Sequence, residues 1–364
     1  MHGEASDKYG CITECGAVIA AAARRIGRGA LCQGRALRHI LPSGTNTGIF
    51  GAERGRAPFP TGVIIMNETK IALIGGDARQ TVTAAHLCDV GFEVAGFGFG
   101  GWGGEMNGIT RCEELDSALR GARAVIAPLP ISRDTETLYC PLGSAREQGI
   151  SLDGFISSLP EGSVLIGGNL PESIAEAAAA RGVRVRDFFR LEEIGVLNAV
   201  PTAEGAIAIA MRELPITICG AEIHIIGFGR IGKVLSRTAA AMGARVVVWA
   251  RRSSDLAWIR VFGYEGRQLA DLGAAEDPFG SAAVIFNTAP TLLLTREVLA
   301  RTDTGVLIID LASAPGGVDR EAAEQRGIRV IWALALPGKT APISSGRIIS
   351  EGIFGILQAD GITP

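Results

Sequence analysis

The residues best placed by type and spacing to do chemistry lie between Glu222 and Lys233. An apolar run, Glu222-Ile-His-Ile-Ile226, enters Gly227-Phe228-Gly229-Arg230-Ile231-Gly232, and a helical pattern follows from Lys233 to Met242. A second apolar run, Arg245-Val-Val-Val-Trp249, closes the unit. Strand, glycine triplet, helix and strand in that order is the context in which G-x-G-x-x-G signals a dinucleotide site. The first glycine permits the tight turn, the second lets backbone approach a pyrophosphate, and the third lets helix and strand pack closely. The free N–H groups and positive dipole end of the following helix attract the phosphates.

The end of the second strand selects the cofactor. NAD binders place an acid about twenty residues beyond the glycines, to accept from the ribose 2′-hydroxyl. Here the sequence reads Trp249-Ala-Arg251-Arg252-Ser253-Ser254, and Asp255 comes only after the turn. Guanidinium forks with neighbouring hydroxyl donors suit a 2′-phosphate, so the expected cofactor is NADP(H).

In an open parallel sheet, ligands bind beyond the carboxyl ends of the strands. Those ends supply Asp77 and Arg79, Pro128-Leu-Pro130, Asn169, Asn287 and Thr288, Asp310, Ala312 and Ser313, and Lys339. Asn287, Thr288, Asp310, Ala312 and Ser313 fall in the cofactor unit and are expected near the nicotinamide and ribose. Arg79 and Lys339 are expected as cations on opposite walls of a cleft, suited to a small dicarboxylate. Thr202 and Glu204 open the predicted helix from Pro201 to Leu214 and suit either a cleft lining or a plain helix cap.

The elements that must position these residues alternate strand and helix through most of the 364 residues. Strands are predicted over 70–75, 93–97, 122–130, 163–169 and 183–188, then 222–226, 245–249, 282–290, 304–313 and 328–338. This predicts two α/β domains, each a doubly wound parallel sheet of Rossmann-like type, joined by an inter-domain helix. The expected boundaries are 66–200 for an N-terminal substrate domain, 201–342 for the NADP-binding domain, and 343–364 for a helix packing back on the first. Residues 1–65 carry eight basic side chains against four acids and lack a sustained period. They are expected to be a disordered extension or to lie upstream of a start at Met66. The hydrophobic fraction is 47%, the charged fraction 20% and the net charge −3, which gives no reason to expect nucleic acid or a membrane as partner. Seven cysteines without paired metal-ligand spacing argue against a zinc site and for a reducing compartment. No metal ligand set is assigned.

The motifs together resemble one family, the A subunits of dipicolinate synthase from spore-forming bacteria. The resemblance runs from Met66 to Leu357. It rests on Gly75-Gly-Asp-Ala-Arg-Gln80, Asn198-Ala-Val-Pro-Thr-Ala-Glu-Gly205 and the glycine triplet with Ala250-Arg251. Asp310-Leu-Ala-Ser-x-Pro-Gly-Gly317 and Leu336-Pro-Gly-Lys-x-Ala-Pro342 complete it. The resemblance implies NADP-linked oxidation of dihydrodipicolinate to dipicolinate. It also implies a flavoprotein-like partner, the dipicolinate synthase B subunit, and the cytoplasm of a sporulating mother cell. A homo-oligomer is compatible with it. NAD-linked 2-hydroxyacid dehydrogenases share the two-domain plan but use a His as proton donor, and Trp332–Gly338 contains none. No catalytic acid or base is therefore assigned. Two rival readings remain: another dehydrogenase of 2-oxo acids or amino acids on this scaffold, and a cofactor-binding protein that does no chemistry and lends stability to a partner.

Overall fold

The computed structural model describes residues 69–104, 106 and 108–364. The expectation for residues 1–65 lies outside them. Two six-stranded sheets, parallel throughout, organise the described chain. The first contains β1 (Lys70–Ile74), β2 (Glu93–Phe97), β3 (Ile109–Arg111), β4 (Ala124–Ile126), β5 (Val164–Gly167) and β6 (Arg184–Asp187), in the order β3-β2-β1-β4-β5-β6. The second contains β7 (Glu222–Ile226), β8 (Arg245–Ala250), β9 (Glu265–Gln268), β10 (Val284–Asn287), β11 (Leu307–Asp310) and β12 (Arg329–Trp332). Its order is β12-β11-β10-β7-β8-β9, the same topology repeated. Each sheet thus reverses its winding beside its first strand, where a doubly wound sheet opens its ligand crevice.

Central strands are fully buried on both faces, as their nearly continuous apolar runs require: Ile71 to Ile74 and Ile223 to Ile226, His224 included, are all inaccessible. The helices of the first lobe are α1 (Ala78–Asp89), α2 (Leu115–Leu119), α3 (Leu152–Ser158) and α4 (Glu172–Ala179). The long α5 (Glu192–Glu213) follows. The second lobe carries α6 (Arg230–Ala241), α7 (Ser253–Val261), α8 (Arg296–Leu299), α9 (Arg320–Gln325) and α10 (Leu336–Thr340), and α11 (Pro342–Ala359) ends the chain.

Helix α5 differs from its expectation. It starts at Glu192, not Pro201, and Pro201 lies inside it. A proline within a helix costs about 3 kcal/mol. Tertiary burial outweighs that here: Ile194 belongs to the first lobe's core, and Ala203, Ala206, Ile207 and Ala210 to the second's. Among the described residues this helix alone is long and apolar enough to cross a membrane, yet over half of that apolar window is buried within the protein.

Helix α11 packs along α1 and against α5. Its small residues make the approach possible: a Cβ on Gly346 would stand 2.7 Å from Val82 Cβ, and one on Gly352 2.7 Å from Ile194 Cδ1. Ser345 Oγ meets Asn198 Oδ1 at 3.0 Å, tying α11 to α5. Near its end, Asp360 pairs with Arg186 at 2.8 Å, and Thr69 Oγ1 donates to the Thr363 carbonyl at 2.6 Å.

Candidate functional site

The loop from β7 to α6 has the geometry its glycines imply. Gly227 sits at φ +99°, a conformation that side chains other than glycine rarely adopt. A Cβ on Gly232 would fall 2.2 Å from the Gly227 carbonyl oxygen, so the helix can approach the turn only without one. Gly229 faces open space, with nothing within 4 Å of a Cβ placed there. It caps α6 without a side-chain acceptor, which leaves the first-turn N–H groups of Arg230, Ile231 and Gly232 directed outward. A pyrophosphate fits this cradle by both space and charge. Phe228 is buried and packs near Phe262, ring centroids 6.3 Å apart; Ile231 packs on the lobe's core. Arg230 lies against Gly195 of α5 and within 3.5 Å of Glu192.

The two arginines beyond β8 are not equivalent. Arg252 is committed to Asp255, Nε to Oδ2 at 2.9 Å, as part of the α7 start. Arg251 is exposed, and among the described residues its side chain has no hydrogen bond or ion pair; its carbonyl accepts from Gln268 Nε2 at 3.0 Å. Ser253, exposed in the first turn of α7, stands beside them.

Other expected contacts turn inward. Asn287 is inaccessible and Asp310 is 1% exposed. Asn287 Nδ2 donates to Asp310 Oδ1 at 2.8 Å, and Asp310 also accepts from Ala312 N at 3.1 Å and Gly317 N at 3.0 Å. This buried pair shapes the 310–317 loop rather than presenting polar atoms to a ligand. The glycines of that loop follow from it: a Cβ on Gly316 would stand 2.7 Å from Asp310 Oδ2, and one on Gly317 2.2 Å from Asn287 Nδ2. Thr288 Oγ1 donates to the Ile226 carbonyl at 2.9 Å and abuts Gly227. Ala312 is buried, its carbonyl accepting from Trp332 Nε1, and Ser313 is exposed at the loop's outer end.

In the first lobe, Asp77 caps α1 and grips Arg79, with Nε and Nη2 each 2.8 Å from its carboxylate. Arg79 Nη2 also donates to the Leu129 carbonyl at 2.6 Å. The residue is only 7% exposed, and the void beside it holds about 10 Å³. Arg79, expected as an open cation, is largely a strut: it is buried, and its Nε and Nη2 are held by Asp77 and the β4 loop. Gly338 of α10 lies over it: a Cβ there would come 3.0 Å from Arg79 Cζ. The neighbouring Lys339 is exposed. Asn169 is exposed at φ +52° beyond β5, its N–H donating to Asp187. Thr202, expected at a helix start, lies mid-helix with its hydroxyl donating to the Asn198 carbonyl at 2.9 Å. Glu204 is an exposed mid-helix residue.

Four further residues carry no mark in the sequence. Glu147 is buried and accepts from Ser144 N at 2.6 Å, Gly100 N at 3.0 Å and Gly98 N at 3.1 Å. Burial pushes its carboxyl up, but these N–H groups hold it below the ordinary range. Beside it the Cys140 thiol, pushed up to about 12 by burial and then by Glu147, packs against Gly75 and Gly98. Residues 139–147 thus fill the turn that stays open in the second lobe, so only the second lobe offers a dinucleotide cradle among the described residues. At the rim, Arg133 Nη2 donates to Tyr139 Oη at 2.6 Å, and its guanidinium carbon lies 4.2 Å from the ring centroid. Burial raises the Tyr139 phenol, while Arg133 and Arg79 lower it and Asp77 raises it further.

Two repeated doubly wound lobes, a phosphate cradle on the second and a cleft wall on the first define a nicotinamide-dinucleotide-binding dehydrogenase scaffold. Residues 204–323 match the family described as "D-isomer specific 2-hydroxyacid dehydrogenase, NAD binding domain". Residues 70–189 match the N-terminal domain of the dipicolinate synthase A subunit. The A subunit of dipicolinate synthase from Bacillus subtilis is 31% identical over 295 residues, covering 79% of this chain and 95% of that protein. A crystal structure of the dipicolinate synthase A subunit from Bacillus halodurans matches with a TM-score of 0.73 at 29% identity, covering 79% of this chain and 97% of that one. The crystal structure of the Bacillus subtilis counterpart gives 0.71 at 29% identity, covering 81% and 98%. The chain belongs to the family of dipicolinate synthase A subunits.

Proposed function

We propose that the protein is an NADP-dependent dehydrogenase that oxidises dihydrodipicolinate to dipicolinate. The family membership supports the substrate. The observation that carries the cofactor reading is the exposed Arg251, with Ser253 beside it, where an NAD binder would place an acid. Bound nicotinamide supplies the acceptor for the hydride that leaves the substrate ring, and a proton leaves with it. The chain's own residues have a limited task. Aromatisation drives the reaction, so placing the reacting carbon and excluding competing geometries matter more than a strong base.

In this reading Gly227 to Gly232 hold the pyrophosphate, and Arg251 and Ser253 hold the 2′-phosphate. The turn at Thr288 and the loop ending at Ser313 flank the nicotinamide, and Asn287 and Asp310 fix that loop from below. Arg79 and Asp77 shape the first-lobe wall under α10, and Lys339 faces the substrate. A B subunit of flavoprotein-like type is the proposed partner, in the cytoplasm of a sporulating mother cell. The test is NADPH formation, followed by absorbance, from the dihydro substrate with and without that partner. Turnover with NADP⁺ supports the reading. A protein that binds NADPH but turns over nothing under either condition is a non-catalytic cofactor binder, and turnover of pyruvate-type substrates instead assigns another dehydrogenase.

A further inference from the structure

We propose that Arg133, laid across the ring of Tyr139, is a carboxylate receptor of the substrate cleft and works opposite Lys339. The inference rests on the dicarboxylate substrate proposed above. Two carboxylates call for two accessible cations, and Arg79 is a poor one: it is only 7% exposed, with Nε and Nη2 bound to Asp77 and Leu129. Arg133 is a better one. It is exposed, and among the described residues its contacts are the Tyr139 hydroxyl and ring face, which leave most of its five N–H donors open.

Its placement is constructed rather than incidental. The turn that carries it is locked by Asp134, whose carboxylate accepts from Thr137 N at 2.7 Å and from Glu136 N and Ser132 Oγ at 2.9 Å. Tyr139 anchors the other side, since its carbonyl accepts from Gly76 N at 2.8 Å in the turn after β1. A guanidinium lying on an aromatic face loses little freedom on binding, and its planar fork matches a carboxylate. The Gly76 held by the Tyr139 carbonyl precedes Asp77, whose carboxylate grips Arg79, and Gly338 lies over that pair. Arg133 lies in the loop after β4, beside the reversal of the first sheet where such a sheet takes ligands, and α10, whose Gly338 covers Arg79, carries Lys339. Arg133 binds substrate directly in this scheme, and Tyr139 is a positioning residue.

The test is calorimetric titration of the full chain, saturated with NADP⁺, with pyridine-2,6-dicarboxylate and with pyridine-2-carboxylate. The wild type is expected to favour the dicarboxylate. Arg133→Ala is expected to reduce that preference by about 10- to 100-fold, as loss of a charge-assisted bidentate contact implies. NADPH affinity, which reports intact folding, should be unchanged. Arg133→Lys should recover part of the preference, because charge survives and the fork does not. An unchanged preference in Arg133→Ala overturns the assignment of Arg133 alone. A wild type that binds neither pyridine overturns the substrate reading, and this inference with it.

Discussion

Arg251 offers the sharpest test of cofactor choice. Among the described residues its side chain has no hydrogen bond or ion pair, whereas Arg252 holds Asp255 through two contacts of 2.9 and 3.4 Å. Hydrogen bonds from a guanidinium to a phosphate contribute about 1.5–3 kcal/mol, or about 10- to 100-fold in affinity. Arg251→Ala should therefore weaken NADPH by about that factor and leave NADH within about twofold, since NADH carries no 2′-phosphate. Arg252→Ala should weaken NADPH less, by under about fivefold, because its guanidinium would have to leave Asp255 first. The contact is exposed, so the NADPH preference should shrink as ionic strength rises past the point where the screening length falls below about 10 Å. Fluorescence titration of NADPH and NADH against wild type and both variants measures all of this. An Arg251→Ala protein with the wild-type ratio of the two affinities would refute the reasoning.

Three further outcomes follow from the geometry. Asp310→Ala strands the N–H groups of Ala312 and Gly317 and one bond of Asn287, so urea unfolding should show a loss of about 3–6 kcal/mol; a loss below about 1 kcal/mol would contradict the network. Gly229→Ala should leave stability unchanged or raise it by up to about 1 kcal/mol while sharply weakening NADPH, because its Cβ enters empty space meant for phosphate. Gly232→Ala should instead destabilise by about 1–3 kcal/mol, its Cβ meeting backbone at Gly227, and equal melting temperatures for the two variants would argue against this distinction. His224 is buried between Glu222 and the Trp249 indole, and burial, then the Arg267 charge, lowers its pKa from 6.5 to about 4. The unfolded chain binds that proton more readily. The His224 contribution, about 3 kcal/mol, is thus full above pH 6.5 and lost as pH falls towards 4, and His224→Gln should unfold with a shallower acid limb.

Where burial and glycine chemistry coincide, the sequence was legible. The triplet at Gly227, the strand at Lys70 and the apolar runs of the central strands could be read directly, because a strand covered on both faces must be apolar throughout. Two of the four outer strands, β3 and β9, could not. β3 reads Ile-Thr-Arg and β9 reads Glu-Gly-Arg-Gln; edge strands are short and charged to discourage further pairing, which erases the pattern that marks a strand. Pro201 suggested a helix start that long-range packing overrides. At the candidate site, residue type identified Arg79 and Asp310 but not their orientation, since both are held by partners set by the fold. Arg133, Tyr139 and Glu147 lie between Pro128 and Ile150, where no period betrays which side chains converge.

Two rods, α5 and α11, cross between the lobes, and Asn198 and Ser345 fasten one to the other. A single flexible tether would let the lobes swivel in any direction. Paired stiff members act as a door hinge: they bend about one axis and resist torsion. Relative movement of the two lobes is therefore expected along one arc rather than as a twist.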